Sequence, residues 1–465
     1  MHKLAEFVCF FDFFVVPLQR ENVNFKCIAM ETPPKIDKNV FLKVLSGEVT
    51  NEATELVRQI NDKYEYWDKV KYKPLPKGYS SKMLWSHVKA IRLFESRTIW
   101  RKYDIKLYVT NAMHRMCHEF DMMFGGFWEA NTPTPENEKL HYIASSLMEE
   151  AIFSSQMEGA ATTRAVAKDM LKKGLSPQNK SQQMIHNNFQ TIQYITEHKH
   201  EPLTAESIQL LHNLMTTKTL KNAADAGRFR TDNDDVVVEN KITGEVVHTP
   251  PPASDIPEFI DELCAFFNGT NESIFIHPII RGIIIHFMIA YVHPFVDGNG
   301  RTARALFYWY MLKEKYWLTE YMSISRVIAK SKRSYEDAFM YSEIDGRDIG
   351  YFVAYNLRVL ELSFKQLKIY IERKQKEKQA ANVFLRVDNI NERQALIIQY
   401  FIDNPNTVVT VKEMQDRFAV ATMTARQDLT NLTQKGYLSE IALNRIKKGY
   451  IKGEKFDELI VREIH

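Results

Sequence analysis

The sequence predicts a mainly α-helical protein with one β-hairpin and a winged helix-turn-helix at its C-terminal end. Three observations carry this. Apolar residues recur at three- and four-residue spacing along most of the chain, as amphipathic helices require. One stretch, "DDVVVENKITGEVVHT" at 234–249, instead sets two Val-rich runs around a turn from Asn240 to Gly244. From residue 385, three helical patterns are followed by two short strand-like runs, the order of a winged helix.

Taken in order, residues 1–35 form an uncertain N-terminal extension. Its "LAEFVCFFDFFVVPL" is apolar, but Asp12 interrupts it and it is shorter than a membrane span. Lys3 suits a signal peptide, yet no small-residue cleavage site follows. The expectation is a disordered or start-site extension before Met30, with a secreted precursor as the alternative. Residues 36–135 read as a helical N-terminal domain, from "FLKVLSGEV", "EATELVRQINDKYEYWDKV" and "KMLWSHVKAIRLFESR". The two prolines and glycine of "KYKPLPKGYS" break it, and "ANTPTPEN" at 130–137 closes it. A third region, 136–375, opens with a helix over about 140–160 that stops at Gly159, continues through further helices and the hairpin, and is helical again from Glu258. The charged run "RKQKEKQAANVFLRVDN" leads as a linker or solvated helix end to the winged-helix region, 385–465. There Thr410 caps the second helix and Gly436 ends the third.

With 465 residues, two or three domains are expected. Hydrophobic residues make up 45% and charged residues 26%, ordinary for a soluble globular chain. A net charge of +3 does not by itself indicate nucleic acid. Cysteines 9, 27, 117 and 264 show no CxxC spacing, so reduced thiols in a cytoplasmic protein are expected rather than a disulfide frame or zinc site.

The chemistry concentrates in "HPFVDGNGRTAR", 293–304, set between the apolar runs "IIRGIIIHFMIAYV" and "ALFYWYML". Gly298, Asn299 and Gly300 permit a sharp break and a new helix start at about Asn299. A helix start offers unpaired N–H groups and a positive dipole end, which suits an anion. Arg301 and Arg304, three apart, project from one face of its first turn. Two such cations beside a dipole end call for a polyphosphate. Asp297 could hold a magnesium ion bridging phosphates, and His293 is a candidate base. The plainer alternative, a helical corner with its arginines paired to scattered acids, does not account for the combined spacing.

This stretch resembles the signature of the Fic family, His-Pro-Phe-x-Asp/Glu-Gly-Asn-Gly-Arg-x-x-Arg, at every fixed position. As a domain the resemblance covers about 140–365. It implies a Fic helical bundle and transfer of AMP from ATP to a protein hydroxyl, with Mg2+. It further implies that His293 takes the proton of a Ser, Thr or Tyr hydroxyl and that Asp297 binds magnesium. Gly298, Asn299 and Gly300 would line the nest for the α- and β-phosphates, Arg301 would hold the β-phosphate, and Arg304 the γ-phosphate.

Upstream, "SSQMEG" places Glu158 at a helix end, where an acid opposes the dipole. It is either a tolerated surface glutamate or one held by a distant cation. The segment resembles the inhibitory motif Ser/Thr-x-x-x-Glu-Gly/Asn of Fic proteins, with Ser154, Glu158 and Gly159 at its fixed positions. That resemblance implies that Glu158 pairs with Arg304, occupies the γ-phosphate site and is oriented by Ser154. The segment "AGRFRTDNDDVVVENKITGEVVHTPPP" resembles the Fic flap, which receives a target by strand pairing. Gly227 and Arg230 match its lead-in, and Val236, Val237 and Val238 would form its edge; a plain structural hairpin is the alternative. "SKRSYEDAFMYSE" resembles the segment that contacts adenosine. Tyr335 is its candidate, with a core tyrosine as the alternative.

The tail resembles a winged helix of the kind that follows many bacterial Fic domains. Thr422 to Gln434 would be the recognition helix. Its basic residues are few: Arg426 and Lys435, then Arg445, Lys447, Lys448 and Lys452 in the wing. DNA binding and protein contact are equally open. Two functions therefore compete. One is an autoinhibited protein adenylyltransferase acting on an unknown target protein and on itself. The other is a DNA-binding regulator whose Fic domain senses nucleotide, or that uses another donor or removes AMP. No membrane partner is expected, and the oligomeric state is left open, a homodimer included.

Overall fold

The computed structural model describes residues 13–17, 30–124, 136–240, 244–270, 275–381, 384–385, 389–418, 420–443 and 448–464. The chain is mainly helical and divides into two compact units, one of residues 1–132 with 145–363, the other of 133–144 with 364–465. Among the described residues no helix is long and apolar enough to cross a membrane. Cys117 and Cys264 are free thiols.

The core of the first unit is a helix pair, Pro278–Val292 (α1) and Asn299–Lys313 (α2). Both are buried nearly all round, which is why neither run shows an amphipathic stripe. Gly282 lets them close: a Cβ there would come within 3.2–3.3 Å of the Tyr310 and Phe307 rings. Helices Lys180–Glu197, Ala205–Thr216 and Ile256–Asn268 pack around this pair. The polar corner between α1 and α2 is thus braced by apolar helices on both sides.

Residues 38–124 form helices joined by loops, with one departure from the expected pattern. The helical pattern expected over about 40–135 is interrupted by a hairpin, Arg97–Trp100 paired with Ile105–Leu107, which turns at Asp104 with φ 50°. Trp100 is buried at the end of the first strand, and Ile105 and Leu107 are buried on one face of the second. A buried charge network lies nearby: Arg92 donates to Asn61 Oδ1 (2.7 Å), Tyr351 OH (2.5 Å) and the Glu65 carbonyl (2.8 Å). The expected hairpin forms from Val236–Asn240 (β1) and Val246–His248 (β2). Residues 241–243 of its turn lie outside the described residues. The other edge of β1 pairs antiparallel with Phe13–Pro17.

The second unit holds helices Glu392–Asp403, Val411–Phe418 and Thr422–Gln434, then strands Leu438–Ala442 and Lys448–Lys452. Thr410 caps as expected: its Oγ1 accepts from Glu413 N–H (3.3 Å), and Glu413 accepts from Thr410 N–H (2.7 Å). Buried Asp428 joins the third helix to the first by accepting from Asn391, Arg393 and Gln394. A closing helix, Phe456–Ile464, has no counterpart in the sequence reading.

Candidate active site

The loop between α1 and α2 is built by backbone geometry. His293 ends α1 in the left-handed region, φ 49° and ψ 62°, a conformation that costs about 1–3 kcal/mol in a non-glycine residue. Its cost is met by Arg230, whose guanidinium donates to the carbonyls of His293 (2.7 Å), Val292 (3.2 Å) and Pro251 (2.5 Å). Arg230 therefore closes the end of α1; it was expected in the docking flap, and its side chain is spent on the loop instead. Gly298, φ 89°, then starts α2.

Asn299 pins the turn with its side chain, donating to the Phe295 carbonyl (2.8 Å) and accepting from Phe295 N–H (3.0 Å). Expected to line a phosphate nest, it offers a ligand only its backbone. Gly300 leaves the start of α2 open, and the Glu158 carboxylate lies directly over it: a Cβ at Gly300 would collide with Glu158 Oε1.

Arg304 is buried and satisfied. It donates to Ser154 Oγ (2.8 Å), the Ser154 carbonyl (2.9 Å) and Glu158 Oε1 (2.8 Å). Burial, the largest single influence, works against its charge, but Glu158, Tyr335 and Glu150 together outweigh it and the pKa is raised. Ser154 thus acts on Arg304, where the sequence reading had it orienting Glu158. Glu158 follows the end of helix Glu136–Met157, and Gly159, φ 96°, turns the chain away. That helix is fastened by Glu150, which accepts from Ser325 N–H (2.9 Å), Ser325 Oγ and Ser323 Oγ (3.1 Å).

Arg301 is buried too, yet less well partnered. One nitrogen donates to the Met215 carbonyl at 3.2 Å, another lies 4.0 Å from Asp297, and Nε has no partner. Burial pushes its pKa down against the pull of Asp297 and Glu158. A buried cation short of acceptors is costly, and an anion there would repay the cost.

His293 Nδ1 donates to the Ala290 carbonyl. Burial first, and His248 next, lower its pKa to about 3. The ring is therefore neutral near pH 7 with its lone pair on Nε2, the state a base requires. His248, on β2, bonds the Tyr291 carbonyl (2.6 Å) and Glu343 (2.9 Å), its ring 6.0 Å from that of His293.

One cleft of about 830 Å³, its solvent-facing part included, is lined by many of these groups, though not by Arg301. His293, Asp297, Gly298, Asn299, Gly300, Arg304, Glu158 and Tyr335 all line it, with Val238 from the flap. The Tyr335 hydroxyl is already bonded to buried His286 (2.9 Å). Val236, Val237 and Val238 are buried. Gly227, φ 76°, lies against helix Ala205–Thr216.

The Asp297 carboxylate is partly exposed in the cleft. Among the described residues no three His, Cys, Asp or Glu side chains gather as a cage. One carboxylate suits magnesium, which takes its remaining ligands from phosphates and water. His212, absent from the sequence reading, bonds the Asp297 carbonyl (2.7 Å). Burial lowers its pKa to about 4. Nothing in the sequence distinguishes it from a core histidine.

In the second unit the helix expected as the recognition helix spans Thr422–Gln434 and exposes Thr422, Met423, Arg426 and Gln427. Lys448 pairs with Glu440 (2.6 Å) and Lys452 with Asp457 (2.6 Å). Arg445 and Lys447 lie outside the described residues.

Residues 202–311 match the model of the Fic/DOC family, and residues 393–441 that of the DeoR-like helix-turn-helix domain. The chain is similar to the protein adenylyltransferase Fic of Nematostella vectensis, 25% identical over 171 residues, and of Drosophila melanogaster, 28% over 124 residues. These matches take in 35% and 27% of this chain, and only 37% and 23% of the relatives' own length. Among solved structures, a Fic family protein from Desulfovibrio desulfuricans G20 is 17% identical, with a TM-score of 0.46 over 74% of this chain and 97% of that one. A fragment of Fic-1 from C. elegans is 19% identical, with a TM-score of 0.48 over 74% and 90%.

Proposed function

We propose that this chain, which carries a Fic domain and a C-terminal helix-turn-helix domain, transfers AMP from ATP to a Ser, Thr or Tyr hydroxyl of a protein, itself included, and is restrained by Glu158. The observation that supports this most is the pair of buried arginines at one helix start, with a carboxylate on one of them. Arg301 would take the β-phosphate. Arg304 would take the γ-phosphate once Glu158 gives way, and the backbone around Gly300 would receive phosphate oxygens.

A target segment would pair with β1 in the place that residues 13–17 hold, bringing its hydroxyl to His293. The hydroxyl oxygen attacks the α-phosphorus, the bond to the α,β-bridging oxygen breaks, and pyrophosphate leaves. The hydroxyl proton passes to His293 Nε2. Asp297 would hold the magnesium that neutralises phosphate charge as pyrophosphate departs. The rest is positioning and charge stabilisation.

Asp297→Asn keeps the size and loses the charge. Self-labelling with radiolabelled ATP is expected to fall sharply and to require far more Mg2+. Full activity at the parent's Mg2+ requirement would remove Asp297 from this role.

A second reading, DNA binding by the tail, is favoured by the DeoR-like match and the exposed face around Arg426. With Lys448 and Lys452 ion-paired, Arg426 would carry much of the attraction. Arg426→Ala should weaken a salt-dependent affinity for genomic fragments by about 1–3 kcal/mol and leave self-labelling unchanged. Salt-independent binding, or none, would point to protein contact.

A further inference from the structure

We propose that His212 is a positioning residue for the transfer site, holding the Asp297 backbone with one ring nitrogen and the lead-in to the flap with the other. The proposal rests on the Fic-type reading above, because it concerns how Asp297 is presented to Mg2+ and ATP.

His212 lies in helix Ala205–Thr216 and is fully buried. It does not line the cleft and takes no part in the transfer step. Its Nε2 bonds the Asp297 carbonyl at 2.7 Å, and its Nδ1 accepts from Gly227 N–H at 2.9 Å. A carbonyl can only accept and a backbone N–H can only donate, so one neutral tautomer, protonated at Nε2, satisfies both. The ring stacks face to face on Phe295, with centroids 3.8 Å apart and planes within 2°.

Close contact on both sides leaves little freedom. A Cβ at Gly298 would come within 2.9 Å of Thr216 Cγ2 and 3.2 Å of His212 Nε2. A Cβ at Gly227 would come within 3.1 Å of the Gln209 carbonyl. The circuit closes through Arg230, three residues after Gly227, which donates to the His293 carbonyl. Asp297, His293 and the flap lead-in therefore share one imidazole as a reference point. Losing its hydrogen bonds should displace the Asp297 carboxylate while leaving Arg301 and Arg304 in place.

The test compares Glu158→Gly protein with Glu158→Gly/His212→Phe and Glu158→Gly/His212→Gln. Phenylalanine keeps the stacking and loses both hydrogen bonds; glutamine restores a donor toward the Asp297 carbonyl. ATP binding is measured by calorimetry with EDTA and with Mg2+, and self-labelling is measured in parallel. The phenylalanine variant is expected to keep its EDTA affinity within about twofold and to lose about tenfold of the gain that Mg2+ brings, the scale of an outer-shell partner. The glutamine variant should recover most of that gain. An undiminished Mg2+ gain in the phenylalanine variant, or equal loss with and without Mg2+, would overturn the proposal. If the phenylalanine variant does not fold, a glutamine variant that binds in EDTA like Glu158→Gly but lacks the Mg2+ gain would overturn it as well. Should the binding pattern hold while no variant labels itself, the positioning role stands and the transfer reading fails.

Discussion

Glu158→Gly is expected to raise self-labelling by ATP on the order of 10- to 100-fold, the worth of one charge-assisted contact between Arg304 and the γ-phosphate. Glu158 Oε1 lies 2.8 Å from Arg304, and its carboxylate covers the helix start at Gly300. It satisfies the arginine when ATP is absent and repels a γ-phosphate that approaches. The same contact sets a stability cost. Arg304 is 5% exposed, and removing Glu158 leaves a buried cation without its ion-pair partner, its bonds to Ser154 remaining. The variant should therefore melt at a lower temperature than the parent without nucleotide, and ATP should raise its melting point by more. Adding Arg304→Ala should abolish the gain in labelling. A folded Glu158→Gly protein that labels no better than the parent would leave Glu158 as a helix-end acid.

His293→Ala, made in the Glu158→Gly background, should lower transfer by about 10²–10⁴, the usual contribution of a general base, while ATP affinity changes little. The pH dependence is a separate check. A base whose pKa is lowered stays neutral through pH 6.5, where a free imidazole would be half protonated. As pH falls, kcat/KM should hold its plateau past that point and drop only at lower pH. An acid limb centred near 6.5 would show an ordinary imidazole, and full activity in His293→Ala would remove it from the reaction.

Much of this site was legible in the sequence because turns and helix starts are local. "DGNG" announces the break and the new helix, and Val-rich runs around a Gly244 turn announce the hairpin. The pairing of Glu158 with Arg304 spans 146 residues and was reached through motif resemblance, since no local pattern encodes it. The hairpin at 97–107 was lost because its strands, four and three residues long, are too short to establish a period of two. Arg230 was assigned to the docking flap and Asn299 to the phosphate nest, whereas the side chains of both satisfy backbone groups of the loop. His212 and His286 were missed because a histidine within a helix carries no local sign of its partner, which only tertiary packing supplies.

The central claim is that a protein hydroxyl receives AMP at this site once Glu158 is removed. Intact-mass spectrometry of purified Glu158→Gly protein, incubated with Mg2+ and ATP, GTP, CTP or UTP in separate reactions, tests it most directly. The account predicts a mass gain of one AMP with ATP, located by fragmentation on a Ser, Thr or Tyr side chain and lost on adding His293→Ala. No adduct with any nucleotide, or an adduct of phosphate alone, would contradict it.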